Sequence, residues 1–274
     1  MIALPRSYLF VPGDRPERYA KALSSGADAV VVDLEDAVAP AAKERARAAL
    51  AAWLDGGGNG IAVRINDATS AWFDADLAIA ARAGVTSVMV PKAERADDLA
   101  RVRAAAPQAT LLPLIETAAG IDRVREIAHA PGVARLAFGS IDLQLDLGVE
   151  ETSAGDELLV CRSQLVLASR LAGLDAPVDG VSTAIDDAAA VEAETRRARR
   201  LGFGAKLCIH PRQLAAVHAA FAPSADELAW AERVVAAAAD GATAGAVAVD
   251  GRMVDRPVLL RARALLAHRS RDDG

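Results

Sequence analysis

The sequence predicts a (β/α)8 TIM barrel followed by a C-terminal helical extension. Short apolar runs end repeatedly on charged or polar residues: AVVVDLED (29–36), IAVRIN (61–66), SVMVPK (87–92), TLLPLIE (110–116), RLAFGSID (135–142) and KLCIH (206–210). A helical stretch separates most of them, and the alternation occupies roughly 220 residues, the size of an eight-fold βα barrel. Runs that stay apolar along their length and turn polar at one end describe parallel strands buried on both faces, with chemistry at their carboxyl ends. An open doubly wound sheet is the alternative, because periodicity does not report closure.

Taken in order, branched apolar content flanked by Gly, Pro or charge places strands at 7–12, 29–34, 61–65, 87–91, 110–115, 135–139, 178–181 and 206–209. Helices fall at 15–24, 40–54, 72–83, 95–105, 118–129, 156–172, 187–201 and 211–220. Pro16 and Pro40 stand where a first helical position favours proline. DGGGNG (55–60) reads as a flexible loop, since no Lys-Ser/Thr follows to make it a phosphate-binding loop. After residue 221 the pattern changes: a helix at 225–239, a turn-bearing extended segment at 246–257 (AVAVDGRMVDRP) and a last helix at 258–268. The expected division is therefore 1–221 for the barrel and 222–274 for an extension that packs on it, caps its mouth or reaches a neighbouring subunit.

Composition narrows the function. The 274 residues are 53% hydrophobic, 25% charged and only 4% aromatic, so small and branched aliphatic side chains must fill the core. A net charge of −6 argues against nucleic acid, whose phosphates demand a clustered basic excess. The run Arg196–Arg200 is the local exception, read as a solvated helix face beside Glu192 and Glu194. Cys161 and Cys208 form no CxxC pair and imply a reducing cytoplasm. Neither a secretory leader nor a run of 18 apolar residues is present in the sequence, so no membrane association is expected.

The strand ends carry the chemistry. Glu116 and Asp142, read as the ends of strands five and six, put two hard oxygen donors over the mouth, a set that suits Mg²⁺ with waters and substrate oxygens completing its shell. Helix capping or a surface pair is the bland alternative for each. Arg64, at the end of an otherwise apolar run, needs an anionic partner: a substrate carboxylate, or Glu35 or Asp36 in a structural network. Asp33, Glu35 and Asp36 crowd one strand end and would repel unless a cation or an Arg offsets them. Lys92 offers a rival Schiff-base chemistry, or a plain ion pair with Glu94. His210 is a secondary acid–base candidate that more often caps a helix. Gly202–Lys206 precedes a strand and belongs to the opposite, stabilising face, and the four histidines show no zinc spacing.

These residues sit in blocks that together resemble the citrate lyase β-subunit-like branch of the HpcH/HpaI aldolase family. The blocks are RSYLFVPG (6–13), DAVVVDLEDAV (28–38) with Lys43 and Arg47, VRIN (63–66), VMVPKAE (89–94), LLPLIETAAGI (111–121), FGSIDL (138–143), DGVST (179–183), GFGAKLCIHPRQ (202–213) and DGRMVDRP (250–257). Ala205 departs from relatives that often carry a second Gly there. The resemblance implies a Mg²⁺-dependent barrel, with Mn²⁺ as a substitute, that cleaves or forms a C–C bond between an acyl-CoA enolate and a 2-keto acid. By the same resemblance Glu116 and Asp142 are metal ligands, Arg64 binds the keto-acid carboxylate, and Glu35 and Asp36 support Arg64 and metal-bound waters. Asp255 matches an aspartate that closes over an adjacent subunit's site and exchanges the proton at the acetyl-CoA carbon, which implies a homo-oligomer, trimer or hexamer. A citrate lyase β subunit acting on a carrier-protein thioester, a CoA-independent aldolase and a barrel without turnover are the alternatives.

Overall fold

In the computed structural model, which describes residues 4–150, 152, 154–240 and 247–272, eight parallel strands close into a barrel in chain order. They are β1 (Ser7–Pro12), β2 (Ala29–Asp33), β3 (Ile61–Arg64), β4 (Val85–Val90), β5 (Thr110–Ile115), β6 (Ala137–Phe138), β7 (Val178–Asp179) and β8 (Ala205–Cys208). Between them lie α1 (Tyr19–Leu23), α2 (Lys43–Asp55), α3 (Phe73–Ala80), α4 (Ala96–Ala105), α5 (Ala118–Asp122), α6 (Val124–Ala128), α7 (Ser140–Leu147), α8 (Leu159–Leu171) and α9 (Ala188–Leu201), with α10 (Leu214–Phe221) after β8. Closure is made by β8 lying parallel to β1, with Ser7 opposite Lys206 and Leu9 opposite Cys208. The open-sheet alternative is thereby excluded.

The barrel interior is a solid core, not a pore. Alternate strand residues point inward, and Tyr8, Val31, Ala62, Met89, Leu112, Ala137, Val178 and Leu207 pack there. Six of these eight are Val, Ala or Leu at strand positions where one aromatic would displace a neighbour, which is how so few aromatic residues suffice.

Two expectations need correction. The run RLAFGSID does not stay extended to Asp142: β6 stops at Phe138, and Ser140–Leu147 forms α7, closed by Gly148 in the left-handed conformation (φ 66). A short apolar run cannot be assigned to strand or helix by periodicity, and here Gly139 marks the change. The helix expected over 118–129 is two, because Arg123 (φ −100, ψ 11) leaves the helical region between α5 and α6. A one-residue break leaves the apolar spacing intact and so escapes pattern reading.

On the outer side of β7 and β8 lies a buried ion cluster. Asp179 accepts from Arg162 Nε of α8 (3.0 Å) and from Lys206 Nζ of β8 (3.3 Å), and Lys206 also meets Glu194 of α9 at 3.5 Å. Gly202, at φ 102, caps α9 just before β8, so the GFGAK segment serves the amino-terminal end of the strand as expected.

The chain divides into two compact units, Pro5–His218 and a second formed chiefly from Ala219 onward. In the second, α11 (Ala225–Asp240) and α12 (Arg256–Asp272) accompany an antiparallel hairpin of β9 (Val247–Val249) and β10 (Arg252–Val254). Ala231, Val234, Val249, Val254 and Ala262 form its core. Asp250 (φ 50) and Gly251 (φ 73) make the two-residue turn, whose twist matches that of the strands. No helix among the described residues is long and apolar enough to cross a membrane.

Candidate active site at the barrel mouth

Arg64 is the hub of the mouth. It ends β3, directly opposite Asp33 at the end of β2 in the parallel register. That register aligns the two side chains, and Asp33 takes the guanidinium bidentately, Nε to Oδ1 and Nη2 to Oδ2, both at 2.7 Å. Nη1 lies 2.9 Å from Glu35 Oε2 and 3.6 Å from Asp36. Asp33 also accepts the backbone N–H groups of Glu35 and Ala37, so the turn after β2 is wound around its carboxylate. Buried Lys43 of α2 donates to the carbonyls of Leu34 and Glu35 and holds that turn from behind. The crowding of three acids is thus resolved by one arginine. Asp33, rather than Glu35 or Asp36, is its principal partner.

Glu116 follows β5 and is 2% exposed. Its Oε1 accepts the backbone N–H of Lys92 at 2.8 Å. On its other side stands Gly139, where a Cβ would come within 2.4 Å of both Glu116 Cβ and Oε2. Burial, then the charge of Glu35, push Glu116 up to about 8, and the Lys92 amide only partly offsets them. Glu35 is raised to about 7 by burial, against the opposing pull of Arg64. Two buried carboxylates so destabilised as anions form a site that a cation would relieve.

Asp142 reaches the mouth from the first turn of α7 rather than from a strand end. Asp146, one turn later and so on the same face, accepts the N–H of Ala118 at 2.7 Å, just beyond Glu116. The helix is pinned there with Asp142 and Glu116 lining one cavity of about 410 Å³, together with Arg64, Asp33, Asp36, Phe10 and Ser140. Two carboxylate donors, with no third His, Cys, Asp or Glu gathered as a metal cluster among the described residues, suit a hard divalent cation that keeps waters, not a closed zinc site.

The remaining candidates sort by geometry. Lys92 Nζ lies 3.3 Å from Glu35 Oε1, not on Glu94, which instead accepts the Thr117 hydroxyl. Burial alone would lower the Lys92 pKa, but the Glu35 charge and hydrogen bond outweigh it and raise it, which opposes the neutral amine a Schiff base needs. His210 Nδ1 accepts the N–H of Arg212 and caps the turn at Pro211–Gln213, the structural alternative foreseen for it. Asp255 lies in the second unit, where its Oδ1 accepts the N–H of Val258 and caps α12. Three contributors escaped the sequence reading: the Lys92 amide, the bare Cα of Gly139 and the bidentate role of Asp33. The alignment of the ends of β2 and β3 was the signal that could have found the last.

The family model for HpcH/HpaI aldolase/citrate lyase matches residues 6–211. A citrate lyase subunit beta-like protein of Deinococcus radiodurans is 40% identical over 97% of this chain and 98% of its own length. A (3S)-malyl-CoA thioesterase of Cereibacter sphaeroides is 37% identical over 96% of this chain and 93% of its own. The crystal structure of Mycobacterium tuberculosis CitE in complex with magnesium, acetoacetate and coenzyme A superimposes with a TM-score of 0.88 at 38% identity, covering 98% of this chain and all of that one. With a matching barrel, matching blocks and relatives spanning nearly its whole length, the chain belongs to the HpcH/HpaI aldolase/citrate lyase family.

Proposed function

We propose that this protein is a Mg²⁺-dependent carbon–carbon lyase. It cleaves a 3-hydroxyacyl-CoA thioester such as malyl-, citramalyl- or citryl-CoA into acetyl-CoA and a 2-keto acid, or forms it by Claisen condensation. The observation that carries this reading is the pairing of Glu116 and Asp142 with Arg64 around one cavity. A protein that only bound ligand would have no use for a buried acid such as Glu116, whose ionisation the fold opposes, facing Asp142 across one cavity.

Glu116 and Asp142 would hold the Mg²⁺, which supplies Lewis-acid polarisation of the substrate oxygens. Arg64, oriented by Asp33, presents its remaining N–H donors to the keto-acid carboxylate and fixes the C–C bond relative to the metal ligands. Glu35 holds Arg64 from the opposite side, and Asp36 adds its exposed charge at the rim. Asp255 is the proton carrier in this reading: it gives a proton to the acetyl carbon on cleavage and takes it on condensation. The thioester makes this feasible for a carboxylate, because it renders the α-carbon far more acidic than an ester or acid would. A neighbouring copy of the chain would bring Asp255 to the mouth, which makes the protein a homo-oligomer.

The thioesterase relative favours a second outcome at the same site, hydrolysis of the thioester to free acid and CoA. Acetyl-CoA and keto-acid release, measured with malyl-, methylmalyl-, citramalyl- and citryl-CoA in the presence of Mg²⁺, separates the two. Glu116→Gln and Asp142→Asn should each reduce turnover at least about 100-fold. Full activity in EDTA sinks the metal assignment.

A further inference from the structure

Lys92, just beyond β4, has a left-handed backbone (φ 44), a conformation that a Cβ disfavours. The other such non-glycine residue among those described, Asp250, sits in a hairpin turn that demands it. At Lys92 the conformation directs the backbone N–H onto Glu116 Oε1 at 2.8 Å. The side chain of the same residue reaches Glu35 Oε1 at 3.3 Å, while Arg64 meets Oε2 of that carboxylate at 2.9 Å. An alternating chain of charge therefore runs from Asp33 through Arg64 and Glu35 to Lys92, and its last member holds Glu116. Glycine would adopt this backbone without strain and would supply the same N–H. What glycine lacks is the ammonium.

We propose that Lys92 is a positioning residue, whose main chain orients Glu116 and whose ammonium fixes Glu35, so that one residue locks two mutually repelling buried carboxylates in register with Arg64. The inference rests on the reading of Glu116 as a metal ligand. It assigns Lys92 no covalent step.

Titration calorimetry of the metal-free, full-length protein with Mg²⁺ tests it, because the two views of Lys92 differ in sign. A cation that merely sits nearby repels Mg²⁺, so its removal would tighten binding. Positioning requires the opposite: Lys92→Met and Lys92→Gly should each weaken Mg²⁺ binding about 10-fold or more, the effect typical of groups that orient a ligand. Lys92→Arg, which keeps a cation within reach of Glu35, should stay within about threefold of wild type on the same scale. Lys92→Gly relieves the backbone strain, so it reports even where Lys92→Met folds poorly. Unchanged or tighter binding in either neutral variant overturns the proposal alone. A wild-type protein that binds no Mg²⁺ overturns the metal reading and this inference with it.

Discussion

Gly139 stands against Glu116 so closely that a methyl group in place of its hydrogen would lie 2.4 Å from the carboxylate oxygen Oε2. The first residue after β6 thus forms the wall on which the acid ending β5 rests. Gly139→Ala forces Glu116 off the Lys92 amide or shifts the start of α7. Overpacking of this kind costs about 1–3 kcal/mol, and thermal unfolding should register it. The more telling result is Mg²⁺ affinity, expected to fall about 10-fold or more; an unchanged isotherm would show that Glu116 does not depend on this wall.

Asp33 and Arg64 make the tightest ionic contact of the site, with Asp33 1% exposed. Removing one member of a buried pair leaves the other uncompensated, at a cost of about 3–5 kcal/mol. Asp33→Ala should lose stability on that scale in denaturant titrations, with Glu35 offsetting part of the loss. Arg64→Lys keeps the charge but loses the fork, so keto-acid affinity should fall roughly 10- to 100-fold, the value of a charged hydrogen bond, with the metal isotherm little changed. Equal loss of both affinities would mean that Arg64 shapes the metal site instead.

Proton linkage gives a signed expectation. The metal-free fold holds Glu116 up at about 8 and Glu35 at about 7, above the ordinary glutamate value near 4.3. Their contribution to stability is complete below that ordinary value and is lost as pH rises through about 7 to 8. Melting temperatures of the metal-free protein should therefore decline across this window, and the slope should shrink in Glu116→Gln. Mg²⁺ competes with these protons, so its affinity should rise with pH and its binding should release protons, seen as a buffer-dependent enthalpy. Proton-neutral binding would contradict the assignment of Glu116.

Asp255 caps α12, a role that asparagine fills equally well but alanine does not. Asp255→Asn should then melt like wild type, while Asp255→Ala loses about 1 kcal/mol. If Asp255 carries the proton, both variants lose deuterium exchange at the acetyl-CoA methyl group by about 100-fold or more, the scale of general acid–base catalysis. Exchange retained in Asp255→Asn leaves the residue with capping alone.

Much of the barrel was legible because buried parallel strands are apolar throughout, and β1 and β5 begin and end where branched side chains predict. Legibility failed where backbone, not side chains, does the work. Gly139 turns a strand into a helix within one residue, so Asp142 reads from the sequence as the end of β6 although it rides on α7. The Lys92 amide carries no trace in residue identity. Asp33 was visible as one of three crowded acids, but finding its bond to Arg64 required setting the end of β2 against the end of β3, a register the structure fixes.

The barrel is also an uneven hoop. The β1–β2 register runs from Tyr8↔Ala29 to Pro12↔Asp33, whereas among the described residues β6 and β7 meet at Ala137↔Val178. Where main-chain rungs are few, Arg162, Asp179 and Lys206 act as a clasp that bulk salt screens poorly because it is buried. Breathing of the hoop should start at this clasp, so amide hydrogens of Val178 and Asp179 should exchange before those of β2. The segment next to that opening is α7, which makes the Asp142 side of the mouth the yielding jaw and the Asp33–Arg64 side the fixed one.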